Sequence, residues 1–323
     1  MTETTLVLPF GVLNGVATVS HYPNGTPQDV TLREKNVILT HVGELIPLYK
    51  TDSARRKYKS AISFHPSGTI KSVSLQQQQD IQTPIGEFPA ELVTFYETGE
   101  LKRFFVLDGQ LSGFWSIEDE RALNIAFSFE FPFAAFQAML VGICLYKSGS
   151  IRSLTLFPGE QISLTLDGLG TISVRTGFSL YEDGQVRSLE PAVPSAVKTP
   201  IGTLWAYDAQ ALGISADSSS LMLDQEGRII ALSTMTNRIV ATVPGYPVTT
   251  FTQQSVTDPI NPLVQMKMPL RIVFDYQKNL VIIGDSEPLP MSKEWFIVFQ
   301  EEGAPTCSPD ACASCRLCQD KTK

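Results

Sequence analysis

Apolar and polar residues alternate in period two along most of the chain, and glycine interrupts the alternation at recurring points. Ile62 and Phe64 lead to Gly68, with Ile70, Val73 and Leu75 beyond it; Leu180 leads to Gly184, with Val186 and Leu189 beyond. Such alternation puts every second side chain on one face and predicts strands with one buried side. The interruptions share a phrase: Tyr22-Pro23-Asn24-Gly25, His65-Pro66-Ser67-Gly68, Tyr96-Glu97-Thr98-Gly99, Tyr146-Lys147-Ser148-Gly149, Tyr181-Glu182-Asp183-Gly184 and Asp224-Gln225-Glu226-Gly227. Strand-like runs joined at such a glycine read as hairpins, because the turn needs a positive φ that a Cβ disfavours.

Helical periodicity is sparse. Residues 116–124 predict one short exposed helix, with Ser116 as N-cap and Asp119 three positions on; residues 132–140 predict a second. Residues 270–276 and 280–283 predict a hairpin across Lys278-Asn279, which lacks the glycine. Residues 295–299 predict a last buried strand, and the polar run 76–79 predicts a loop. Residues 125–146 lack Lys and Arg but contain Glu130, Pro132 and Gln137. Their apolar runs fall short of the ~20 residues that span hydrocarbon, so they are expected in the core.

The six phrases sort into two sets of three. Gly68 stands as far from Pro84, in Thr83-Pro84-Ile85-Gly86, as Gly184 stands from Pro200, in Thr199-Pro200-Ile201-Gly202. Leu8-Pro9-Phe10 opens one set and Phe131-Pro132-Phe133 the other, and Lys71-Ser72 matches Arg187-Ser188. Matches in one order predict an internal duplication, with repeat cores near 8–115 and 131–235. The third unit of the second set departs most, with Asp224 in the aromatic position and an insertion around residues 209–220. The expected fold is all-β: two related halves of stacked antiparallel β-hairpins, a C-terminal β cap and a flexible Cys-rich tail. The expected bounds are 1–123, 124–238, 239–300 and 301–323.

The phrase resembles the degenerate MORN-like repeats of bacterial proteins, of the YwqK type. Phe95-Tyr96-Glu97-Thr98-Gly99-Glu100-Leu101-Lys102 carries the resemblance best, and residues 145–152 and 180–187 carry it well. The resemblance implies a meander of stacked hairpins that serves as a scaffold or binding surface. It implies no catalytic residue.

Composition narrows the classes. Of 323 residues, 18% are charged, against roughly 25% in an ordinary soluble domain, and 22 Gly with 21 Pro fit a turn-rich β chain. A net charge of -8 argues against a nucleic-acid partner, which calls for clustered cations. The N-terminal Met1-Thr2-Glu3-Thr4-Thr5 has no basic segment, so no secretory leader is expected, and with four of five cysteines in one tail the expected location is cytoplasmic, with no membrane partner.

The densest chemistry lies in the tail, where Cys307, Cys312, Cys315 and Cys318 follow the pattern C-x4-C-x2-C-x2-C. Thiolates two residues apart turn back onto one ion, so the tail is expected to bind zinc or an iron–sulfur cluster. Redox thiols or a passive tail are the other readings. Histidines 21, 41 and 65 read as structural: His65 stands in the tyrosine position and His41 on a strand face. Cys144 reads as a buried apolar residue. Glu118-Asp119-Glu120 reads as a solvated turn, and the basic stretch 50–59 as a solvated loop or an anion or partner patch. Gly168-x-Gly170 lacks the third glycine of a dinucleotide loop.

Three functions follow. The leading one is a non-catalytic scaffold that binds a protein partner or small ligand on its β surface, with a metal-binding tail. The others are an iron–sulfur electron-transfer or metal-delivery accessory, and an enzyme with a site between the halves for which no catalytic residue stands out. An exposed strand edge offers a route to a homodimer.

Overall fold

The computed structural model describes residues 5–9, 11–50, 55–56, 59–211, 219–257, 263 and 265–300. Among these, strands dominate, with one short α-helix, Ile117–Arg121, and one 3-10 turn, Lys293–Trp295. The expected all-β class is therefore the observed one. The chain forms two compact units: residues 1–127, 138–158 and 182–184, and residues 128–137, 159–181 and 185–323.

In the first unit an antiparallel series runs Val16–His21, Pro27–Leu32, Ile62–Phe64, Ile70–Thr83, Gly86–Phe95, Leu101–Phe105, Ala134–Leu145 and Ile151–Leu156. Alternation buries one face: Val30, Ile62, Phe64, Val73, Leu75, Val93 and Phe104 are fully inaccessible. Each such side chain contributes ~1.5–3 kcal/mol by leaving water. The second unit repeats the plan with Gln161–Leu166, Gly170–Leu180, Val186–Pro191, Leu221–Leu223, Ile229–Thr234, Leu270–Asp275, Leu280–Ile283 and Leu289–Pro290. Leu164, Val174, Phe178, Leu189, Leu232, Ile272 and Ile283 fill its interior.

Strand registers recur between the units. Ile62 faces Val73 and Phe64 faces Ile70 in the first; Phe178 faces Leu189 and Leu180 faces Val186 in the second, at the same displacement along the chain. Thr83 faces Gly86 as Thr199 faces Gly202. The strand Gly86–Phe95 is continuous, whereas its counterpart is split into Gly202–Ala206 and Leu221–Leu223, at the place where the sequence carries its insertion.

Three local expectations change. Residues 134–140 belong to the strand Ala134–Leu145 rather than to a helix, because burial falls on Ala138 and Leu140, two apart. The run 76–79 lies inside the strand Ile70–Thr83 and is not a loop. There the glutamine amides stand in for ladder partners across an irregular register: Gln76 Oε1 accepts from the amides of Tyr49 and Lys50, and Gln79 Oε1 from that of Ile46. The last strand, Phe296–Gln300, buries Phe296 only; Ile297 and Phe299 are exposed. The capped helix stands as expected, with Ser116 Oγ accepting from the Asp119 amide and Asp119 accepting from the Ser116 amide.

Candidate functional site: pockets between hairpin turns

Each aromatic-x-x-Gly phrase closes the same turn. The Tyr22 amide donates to Thr26 O at 2.8 Å and the Gly25 amide to Tyr22 O at 2.9 Å. The pair recurs at His65 and Gly68, Tyr96 and Gly99, Tyr146 and Gly149, and Asp224 and Gly227. The six glycines take φ between +76° and +101°, where a Cβ is strained.

The basic residue that follows has its own reason. Phe95 faces Leu101 and Thr94 faces Arg103, so Lys102 is the extra residue of a β-bulge. Arg152 and Arg187 occupy the same position. The bulge turns each cation over the tyrosine of its own hairpin: Lys102 lies 5.6 Å from the Tyr96 centroid, Arg152 5.8 Å from Tyr146 and Arg187 5.9 Å from Tyr181. The ring's far end is tied down as well. Tyr22 Oη donates to Phe64 O at 2.8 Å, Tyr96 Oη to Leu145 O at 2.9 Å and Tyr181 Oη to Leu223 O at 2.8 Å. His65 Nε2 reaches Phe95 O at 3.2 Å from the equivalent place, which bears out its structural role. The hairpin at Asn279 joins the series without a glycine: Asn279 takes φ +54°, Tyr276 Oη donates to Ile229 O, and Arg228 covers the Tyr276 ring.

A second set of turns was less visible in the sequence. Thr40 Oγ1 donates to Gly43 O at 2.8 Å and accepts from the Val42 amide at 3.3 Å. Thr83 does the same with Gly86 and Ile85, and Thr199 donates to Gly202 O. His41 therefore occupies the turn between the strands Ile38–Thr40 and Gly43–Leu45 and not a strand face, and Gly43 opens the second strand at φ +117°.

Where the two sets of turns meet in the first unit, two pockets open side by side. One, about 390 Å³, has walls from His41, Pro84, Leu101, Tyr146, Lys147 and Gly149. The other, about 300 Å³, is more apolar, with Pro9, Ile70 and Phe95 beside Thr40 and Thr69. His41 and Gly99 line both. The exposed His41 ring packs edge-on against Phe95, with centroids 5.6 Å apart. Lys147 lies 5.5 Å from the Tyr96 centroid, on a ring that Lys102 also covers. Glu100, in the first pocket, is held below the usual carboxylate range by a hydrogen bond from Thr98, by its own backbone amide, and by Lys147 and His41 nearby. An apolar floor with a cation, a carboxylate and an imidazole at its rim suits a small ligand or a side chain with a polar end.

In the basic stretch and the acidic triplet, Lys50, Glu118 and Asp119 are exposed as expected, but three described charges are buried rather than solvated. Arg55 and Arg56 are buried, and so is Glu120. The Arg55 guanidinium donates to both oxygens of Glu91 and to both of Glu120, at 2.7–2.8 Å. Trp115 Nε1 and the amides of Gly109 and Asp108 complete the carboxylate shells. Lys59 and Arg56 pair with Asp108. Burial works against the charge on Arg55, but the hydrogen bonds to Glu120 and Glu91 outweigh it and raise its pKa. Burial likewise opposes the Glu120 carboxylate, and Arg55 and Trp115 outweigh it, leaving its pKa lowered. Asp108 goes up, because its burial outweighs Lys59 and Arg56. With every oxygen of Glu91 and Glu120 engaged, these two carboxylates tie segments together.

In the second unit Glu190 is fully buried and accepts from the amide and hydroxyl of Ser220 and from the Asp208 amide. Its nearest cation, Arg175, stands 3.9 Å away, and burial raises the carboxyl pKa. Cys144 is buried and unpaired, as expected of a small apolar residue. Cys307, Cys312, Cys315 and Cys318 lie outside the described residues. Among the described residues no group of three or more His, Cys, Asp or Glu side chains is placed to hold a metal ion, and no helix is long and apolar enough to cross a membrane. No family model matches the chain, and neither a curated protein nor a solved structure matches it.

Proposed function

We propose that this protein is a non-catalytic β-scaffold that binds a ligand or a segment of a partner protein in the paired pockets around His41, and that its cysteine tail holds zinc. One observation carries the reading: two pockets of ligand size share the His41 and Gly99 walls. Their frame is tied across hairpins, since Tyr22, His65 and Tyr96 each reach a backbone carbonyl of a neighbouring one. Walls tied in this way lower the ordering cost of binding. The resemblance to MORN-like repeats points to the same kind of role. Selection of random displayed peptides on the full chain tests it. Binders should lose about tenfold in affinity to the His41→Ala and Lys147→Ala double variant. Binders that keep full affinity for it would remove the pockets from the proposal.

The cysteine spacing supports a second reading, an iron–sulfur electron-transfer or metal-delivery accessory. Metal analysis of untagged protein purified without oxygen separates the two. Zinc without colour supports the scaffold, and iron with sulfide and a visible chromophore supports electron transfer. Metal content unchanged by Cys312→Ser with Cys315→Ser would overturn the tail as the ligand set.

A further inference from the structure

We infer that the second unit carries its own ligand pocket, the counterpart of the one between Pro9 and Gly99, and that it takes an apolar group bearing a positive charge. The inference rests on the reading that the pockets between turns bind ligands.

The pocket encloses about 330 Å³, and Pro132, Phe133, Asp167, Val186, Leu223 and Gly227 are among its walls. The strand registers identify these positions. Leu180 faces Val186 as Phe64 faces Ile70, so Val186 stands where Ile70 lines the first-unit pocket. Leu223 faces Ile229 as Phe95 faces Leu101, which puts Leu223 in the place of Phe95 and Gly227 in that of Gly99. Pro132 directly follows the strand Ala126–Phe131, as Pro9 follows Leu6–Leu8. The apolar floor is thus repeated in kind, built twice from equivalent positions.

The rim is changed. Asp167 comes from the turn between Gln161–Leu166 and Gly170–Leu180, whereas the first-unit pocket has His41 on its turn. Glu226 adds a second carboxylate to the lining. Arg228 answers part of this charge, but it is shared between Asp224 at 2.7 Å and Glu226 at 3.1 Å. Two carboxylates of this turn and one arginine leave a net negative charge, and Asp167 adds to it.

The aromatic wall selects the same sign. Phe133 stacks on Phe131 with centroids 5.1 Å apart and meets the buried Phe178 edge-on at 5.8 Å. A ring fixed in this way offers its quadrupole to a cation. An aliphatic chain ending in an ammonium group would lay its methylenes on Val186, Leu223 and Pro132 and bring its charge to Phe133 and the carboxylates. A lysine side chain and a free alkylamine both have this chemistry.

The test uses n-hexylamine, hexanoate and N-acetyl-lysine methylamide on the full chain, followed by amide chemical-shift perturbation. Hexylamine should shift residues 185–186 and 223–227 and bind about threefold to fivefold more tightly than hexanoate, the range of an exposed charge pair. Asp167→Asn should weaken that preference; the residue is exposed, so folding is retained. The His41→Ala variant should leave hexylamine binding intact, so failure of the first-unit pockets and failure of this one give different results. Tighter binding of the lysine amide would assign a peptide source, and tighter binding of hexylamine a free amine. Equal affinity for hexylamine and hexanoate, or a preference that Asp167→Asn leaves undiminished, would overturn the inference.

Discussion

The buried charges carry the clearest consequences for single residues. Removing one partner of a buried, fully hydrogen-bonded ion pair strands the other, which typically costs ~3–5 kcal/mol. Glu120→Gln should therefore lower the denaturation midpoint markedly, and a variant as stable as the parent in urea unfolding would show that the Arg55 cluster contributes little. Glu120 and Glu190 should answer acid in opposite ways. Glu120 has a folded pKa below its ordinary 4.5, so its contribution is present above 4.5 and lost as pH falls through the folded value. Glu190 has a folded pKa above 4.5, so its contribution is complete below 4.5 and lost as pH rises through the folded value. Glu190→Gln should consequently gain stability relative to the parent between about pH 4.5 and 7, measured by urea unfolding at both ends; a constant difference would contradict the assignment. None of this was legible in the sequence. The acids that answer Arg55 stand 36 and 65 residues further along, and a charged run read alone looks solvated.

At the scale of elements, the hairpins were legible because the demand they satisfy is local. A positive φ at the turn selects glycine, and six phrases displayed it. The physical reason for the basic residue emerged only with the register, which makes Lys102 a bulge residue facing Tyr96. Two glycines separate backbone strain from close packing. Gly25 has φ +82° with open space where a Cβ would stand, whereas at Gly149 a Cβ would come 2.6 Å from Pro84. Gly149→Ala should thus cost more stability than Gly25→Ala in thermal unfolding, and equal losses would mean that the Pro84 contact yields easily. Tyr96→Phe should cost about 0.5–1.5 kcal/mol, the net worth of its hydrogen bond to Leu145, read from the same unfolding curves. The threonine turns had a signal, Thr-x-x-Gly at Thr40, Thr83 and Thr199, but His41 inside one of them read as strand. The helix expected at 132–140 failed because alanine and leucine in a short run suit either period, and tertiary packing chose the strand.

For the whole molecule, the repeated registers and the paired pockets support a scaffold built twice on one plan and given different rims. The pockets could not be read from the sequence, since Pro9, His41, Phe95 and Tyr146 meet only when hairpins lie side by side. The densest chemical motif in the sequence, the four cysteines, falls outside the described residues, and its metal belongs to the proposal. The central claim is that ligand is seated around His41. Crystals of the full chain soaked with a small-fragment library test it most directly. The account predicts that bound fragments gather in the two pockets flanking His41 and disappear from them in the His41→Ala and Lys147→Ala variant. Fragments that gather elsewhere on the first unit, or that occupy these pockets equally in the variant, would contradict it.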